Sequence, residues 1–239
     1  LEFLIIVNVL LLVLGCLLEG TTILLVVVPA HNERADTEPL LASLERLQYA
    51  EGKINFVLIS DGSTDGTAEV FQRWAQGRAR AEAIEILERV GKAAAINKAL
   101  HTAPATELFV VYDADQRPRP DSLRKLAWAC EDARVGAASG YRSPSNADRG
   151  MVARYAALEA WVHQLMVMAG KDKWGWNPPT MGGNCVYRTA AVVECGYFPD
   201  PTSSEDVELS LELIARGWRT RFVREAVADS RVGQTMRHY

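Results

Sequence analysis

The chain predicts an α/β domain whose mainly parallel central sheet is flanked by helices, and two observations carry that expectation. From residue 23 to about residue 140, short aliphatic runs of strand length alternate with longer stretches of helical periodicity. The polar clusters fall where those runs end, and in open parallel sheets ligands bind just beyond the carboxyl ends of the strands.

The elements follow in order. Residues 23–28 are a continuous aliphatic run, the pattern of a strand buried on both faces. Residues 39–48 read as a helix with Leu40, Leu41, Leu44 and Leu47 on one face. A second strand at 55–60 precedes a helix at 67–74, a short strand at 83–87, a helix at 92–101 and a strand at 108–112. Asp121 is placed to cap a helix running to Cys130, and residues 135–139 form another strand. The second half changes character. Residues 149–169 are one long helical stretch whose Val152, Tyr155, Leu158, Trp161, Val162, Leu165 and Met166 make an apolar stripe, the mark of a core or partner face. A Trp- and Gly-containing loop at 174–184 follows, then a helix at 207–216.

Composition narrows the function. With a formal net charge of −4 and no basic stripe, the chain is not expected to bind nucleic acid. Cys16, Cys130, Cys185 and Cys195 show no Cys-x-x-Cys pairing, so they fit buried thiols of a reducing compartment. Residues 3–18 are almost wholly apolar and are expected to be a truncated N-terminal transmembrane helix at residues 1–18. The main domain is then expected at 21–232, with the start of a truncated C-terminal region at 233–239.

The acidic residues at the strand ends carry the chemistry. Asp113 and Asp115, two apart in extended backbone, project the same way. Like charges side by side repel unless a cation lies between them. A hard divalent ion that also touches a diphosphate fits, since Mg²⁺ is usually held by one or two carboxylates plus phosphate oxygens. The plainer alternative is that Asp115 opens the turn toward Pro118 and Pro120. The 61–66 loop, Asp-Gly-Ser-Thr-Asp-Gly, reads equally as a turn with Ser63 or Thr64 capping the next helix. It lacks the bidentate Glu of an EF-hand. Lys92 opens a helix, where a cation is disfavoured, and a nearby diphosphate offsets that cost. Thr202 with Glu205, and Ser203 with Asp206, match capping-box spacing, while Asp206 is also placed to take a proton from an acceptor hydroxyl. Trp176 offers a stacking surface for a sugar ring.

Taken together, these residues resemble the family 2 glycosyltransferases, inverting enzymes of the GT-A fold, over residues 23 to 230. The resemblance rests on Pro29-Ala30-His31-Asn32-Glu33, Asp61-Gly62-Ser63-Thr64-Asp65, the 91–97 segment beginning Gly91-Lys92, Asp113-Ala114-Asp115, Gly182-Gly183-Asn184 with Arg188, and Ser204-Glu205-Asp206. It implies that Ala30 and Glu33 line the nucleoside pocket, that Asp61 reads the uracil edge, and that Lys92 and Asp113 meet the donor. It further implies Asp115 as ligand of Mg²⁺ or Mn²⁺, Asp206 as general base, and Gly182, Gly183, Asn184, Glu205 and Trp176 on the acceptor side. The implied donor is a UDP-sugar, and the acceptor a growing polysaccharide or a lipid. The implied location is the inner cell membrane, with the catalytic domain cytoplasmic. Membrane synthases of this family carry Gln/Arg-x-x-Arg-Trp soon after the base helix; here Gln234 and Arg237 are present without the Trp.

Overall fold

A computed structural model describes residues 22–103, 105–200 and 204–235. The expected membrane helix, the capping residues Thr202 and Ser203, and Arg237 lie outside them. Among the described residues, no helix is long and apolar enough to cross a membrane.

Strands β1 (Leu24–Ala30), β2 (Ile54–Asp61), β3 (Ala81–Ile86) and β4 (Leu108–Val111) alternate with helices α1 (Arg34–Leu44), α2 (Thr67–Ala75) and α3 (Lys92–Thr102). These four strands pair parallel in the order β3-β2-β1-β4. Every residue of β1 and β4 is buried, which explains the unbroken aliphatic runs. One core layer gathers Val26, Leu40, Leu44, Leu58 and Phe71; the other, across the sheet, gathers Val27, Ile59, Ile96, Phe109 and Tyr187.

Beyond β4 the sheet turns mixed, which corrects the mainly parallel expectation. The order continues β7-β6-β8-β5, with β5 (Arg117–Pro118), β6 (Val135–Pro144), β7 (Cys185–Arg188) and β8 (Arg219–Ser230). β7 runs antiparallel to both β4 and β6, β5 antiparallel to β8, and β6 parallel to β8. α4 (Ser122–Ala129) lies between β5 and β6, and α7 (Thr189–Glu194) and α8 (Glu205–Ala215) between β7 and β8.

Two helices depart from the expected outline. α1 starts five residues early and holds Pro39 inside it. The expected continuous helix at 149–169 is α5 (Met151–Val162), a π-helical stretch (His163–Met168) and α6 (Ala169–Lys173). Gln164 accounts for the widened turn. Its buried amide accepts from the Arg142 N–H at 2.8 Å and donates to the carbonyls of Arg142 and Ala160, so it pairs with β6 as a strand residue would.

Candidate functional site

The carboxyl ends of β1, β2 and β4 meet at a cavity of about 350 Å³. Ala30, Glu33, Asp61, Lys92, Asp113 and Asp115 all line it, together with His31 and Arg89. A larger groove, about 530 Å³, lies at the opposite ends of β2 and β3 among Tyr49, Phe56 and Trp74, and holds none of these groups.

The first two loops are laced together. Asn32, at φ 54°, accepts from the Thr64 N–H at 2.8 Å through its side-chain oxygen, and its own N–H donates to Ser63. Gly66, rather than Ser63 or Thr64, holds the N-cap position of α2, and Asp65 before it accepts from both the N–H and the hydroxyl of Thr67, and also from the Arg34 N–H. The His31 ring donates to the Asp61 carbonyl at 2.6 Å while its other nitrogen accepts from Asn32, which fixes the tautomer. The Asp61 carboxylate accepts from the N–H groups of Val90 and Gly91 at 2.8 and 2.9 Å. Asp61 therefore ties the 89–91 segment to β2, and with it Arg89.

Lys92 reaches from the start of α3 to form an ion pair with Asp113. Burial alone would lower its pKa, but the charge and hydrogen bond of Asp113 outweigh this and hold Lys92 above the ordinary lysine value. The other oxygen of Asp113 accepts from Gln116 at 3.1 Å. Asp115 accepts from the Ser230 hydroxyl at 3.1 Å and from the Arg231 backbone. Burial raises the Asp115 pKa, and the neighbouring charge of Asp113 raises it further. Glu33 is raised too, first by burial and then by Asp36 and Asp115. Behind this loop, buried Asp36 holds both Arg117, which donates to the carbonyls of Ala114 and Gln116, and Arg231.

Gly182 links this cavity to the candidate base. A Cβ there would lie 3.4 Å from both the Asp206 carboxylate and the Lys92 ammonium, so Gly182 leaves open the gap between the base carboxylate and one of the cavity's two cations. Asp206 opens α8, and its backbone carbonyl accepts from Thr180 and Ser210, pinning it to the 180–183 loop. Glu205 lies close enough to act on the charge of Lys92.

The model of the Glycosyltransferase like family 2 matches residues 22–238. The chain belongs to that family. It is 31% identical to an N-acetylglucosaminyltransferase of Rhizobium leguminosarum bv. viciae, over 90% of this chain and 52% of that protein. It is 26% identical to a poly-beta-1,6-N-acetyl-D-glucosamine synthase of Staphylococcus aureus (strain COL), over 92% of this chain and 52% of the synthase. The chain thus spans about half the length of these curated relatives. Among solved structures it resembles a mannosyltransferase from Pyrobaculum calidifontis in complex with GDP-Man and Mn²⁺, with a TM-score of 0.75 and 25% identity over 90% of this chain and 58% of that one. The fold is therefore GT-A.

Two residues expected on the acceptor side of this family 2 site lie apart from the cavity. The Asn184 side chain is fully buried in the framework, accepting from Ser122 and donating to the carbonyls of Tyr141 and Ala226. Its φ of 55° suits asparagine. Trp176 is exposed, stacked on Trp174, and does not line the cavity. Arg89, Gln116 and Ser230 were not singled out by the sequence. Gln116 follows the two aspartates directly, so its position was a signal; Ser230 comes from a strand over a hundred residues away and had none.

Proposed function

We propose that the chain is the catalytic domain of an inverting glycosyltransferase that moves a sugar from a UDP-sugar to a growing polysaccharide at the cytoplasmic face of a membrane. The observation that carries this reading is the gathering of Glu33, Asp61, Lys92, Asp113 and Asp115 on one cavity with Asp206 at its edge. The names of the N-acetylglucosaminyl-transferring relatives support an amino-sugar donor.

Each residue has a chemical task. Asp61 and the segment it holds form the wall against the base of the nucleotide. Lys92 and the N-terminus of α3 face the diphosphate, where a cation and unpaired backbone N–H groups stabilise negative charge. Asp206 accepts the proton of the acceptor hydroxyl, whose oxygen attacks the anomeric carbon from the side opposite the nucleotide; one displacement inverts the configuration.

The residues present fit a divalent cation held jointly by protein and donor. Among the described residues, no cluster of three or more acids, histidines or cysteines forms a closed metal site. Asp115 instead offers a single carboxylate, raised by burial and by Asp113, at the mouth where a diphosphate would complete the shell. Mg²⁺ or Mn²⁺ there would neutralise the charge that develops on the departing nucleotide.

The test is a donor panel of UDP-N-acetylglucosamine, UDP-glucose and GDP-mannose with Mn²⁺ and the protein in membranes. Polymer formed from a UDP-sugar is expected, abolished in Asp206→Asn with UDP affinity retained. Product from GDP-mannose alone would overturn the uracil assignment, and a lipid-soluble product carrying one sugar would overturn the polysaccharide acceptor.

A further inference from the structure

Asp36 does not line the cavity, yet it is tied to the segments that do. It stands in the first turn of α1, soon after Glu33, and its side chain is 8% exposed. One oxygen of its carboxylate accepts from Arg117 at 2.8 Å, and the other is ion-paired with Arg231. Segments far apart in sequence therefore meet on one carboxylate: the start of α1, the start of β5 and the residue that follows β8.

The two arginines are not equivalent. Arg117 is engaged a second time, because its other nitrogen donates to the carbonyls of Ala114 and Gln116 at 2.9 and 2.8 Å and so stays with the loop that carries Asp113 and Asp115. Arg231 is half exposed, and its backbone already binds Asp115. Its charge also acts on Glu33 and Asp115 alike, opposing the rise that burial gives both. A guanidinium and a carboxylate that can face each other form paired, charge-assisted hydrogen bonds. Asp115, beside the backbone of Arg231, is then the carboxylate open to this side chain if Asp36 does not hold it. An aspartate paired in that way has its charge matched and its lone pairs filled, which leaves little for a hard cation.

We propose that Asp36 is a positioning residue that holds Arg231 off Asp115 and so keeps that carboxylate open to the divalent cation of the donor complex. The inference rests on the cation reading proposed above and adds what keeps its ligand free. Asp36→Asn separates this role from mere support. Asparagine has the same shape and still offers Arg117 an acceptor, but it lacks the charge that retains Arg231. The released guanidinium then competes with the cation for Asp115, while the cavity becomes less negative toward a nucleotide. The two affinities move in opposite directions, whereas a loosened loop weakens both.

The experiment uses the purified full chain and two probes: Mn²⁺ with saturating UDP, followed by the paramagnetic resonance signal of the free ion, and UDP alone in chelator, followed by calorimetric titration. In Asp36→Asn, Mn²⁺ affinity is expected to fall about fivefold or more and metal-free UDP affinity to rise about threefold. Both are expected to return to within about twofold of the natural chain in Asp36→Asn/Arg231→Gln, whose net charge equals the natural one. The fall in Mn²⁺ affinity relative to the natural chain is expected to persist in about 1 M KCl, where charges more than about 3 Å apart are screened. Unchanged Mn²⁺ binding in Asp36→Asn, weakening of both ligands, or no recovery in the double variant overturns the proposal. So does a fall that vanishes in salt, which would assign the effect to the distant field of Asp36. Should Asp36→Asn fail to fold, Arg231→Gln decides. It is expected to bind Mn²⁺ at least as tightly as the natural chain, and weaker binding would make Arg231 a helper of the cation rather than its competitor. A natural chain that holds no Mn²⁺ with UDP overturns the cation reading itself.

Discussion

Gly183→Ala tests whether Asp113 is held where the donor needs it. A Cβ at Gly183 would fall 2.1 Å from one oxygen of the Asp113 carboxylate and 2.3 Å from the amide nitrogen of Gln116. Real contacts at such a carbon begin near 3.0 Å, so the carboxylate must retreat by about 1 Å or the loop must move. Neither is easily done, because Asp113 is held by Lys92 on one oxygen and by Gln116 on the other. A displacement of that size in a positioning group costs on the order of 10²-fold in rate, equivalent to about 2.7 kcal/mol. Losing the Gln116 bond costs about 1 kcal/mol more in stability, a fall of about 2–4 °C in Tm for a chain of this length. The assay is kcat/KM with the UDP-sugar, alongside thermal unfolding. Gly170→Ala is the control: that helical glycine has nothing within 4 Å of its would-be Cβ, and alanine there is expected to leave activity unchanged and raise stability by about 0.5 kcal/mol. Activity of Gly183→Ala within threefold of the natural chain would refute the claim that this carboxylate is fixed.

Two further substitutions separate support from chemistry. Asp61→Ala strips the N–H groups of Val90 and Gly91 of their acceptor, so it is expected to lower stability by about 2 kcal/mol as well as weakening UDP at least tenfold in calorimetric titration; full stability would mean the segment holds itself. Ser230→Ala removes a hydroxyl from Asp115 worth about 1 kcal/mol, so the Mn²⁺ concentration for half-maximal activity is expected to rise about fivefold with kcat retained at saturating metal and Ser230→Thr restoring it; an unchanged metal requirement would remove Ser230 from the site.

The parallel half of the fold was readable because its strands are buried on both faces and its helices show one apolar side. The strand-end acids were readable for the same reason: once β1, β2 and β4 are placed, Glu33, Asp61 and Asp113 must share an edge. The other half hid its topology. β7 is four residues long and reads from sequence as the tail of a Gly-rich loop, and β5 is a two-residue pairing made by β8. Nor does any local pattern reveal that Asn184 turns inward. Its side chain fills the space that Gly140 leaves, since a Cβ at 140 would lie 2.4 Å from the Asn184 amide nitrogen, and that complementarity joins residues more than forty positions apart. The stripe on α5 shows the opposite limit, because periodicity locates an apolar face without saying whether the protein's own core covers it.

The charges of the cavity lead to a prediction about protons. Its lining holds four carboxylates, Glu33, Asp61, Asp113 and Asp115, against two fixed cations, Arg89 and Lys92, so its formal charge is −2 before any donor enters. A sugar nucleotide adds two negative charges of its own. Burial already raises Glu33 and Asp115, which means that further negative charge nearby pushes both higher still. Without a divalent cation, donor binding is therefore expected to draw protons from solution, and the proton count is what the experiment reads. The sign follows: an acid whose pKa rises on binding favours the bound state as pH falls, so metal-free affinity for a UDP-sugar is expected to strengthen from pH 8 toward pH 5. A bound divalent ion supplies the missing positive charge and flattens that dependence. Calorimetry in buffers of different ionisation enthalpy reads the proton uptake directly, expected without metal and much reduced with Mn²⁺. Equal uptake with and without Mn²⁺ would mean that the cation, if it binds, does so away from Asp115. In that event Arg89 and Lys92 alone would have to balance the diphosphate.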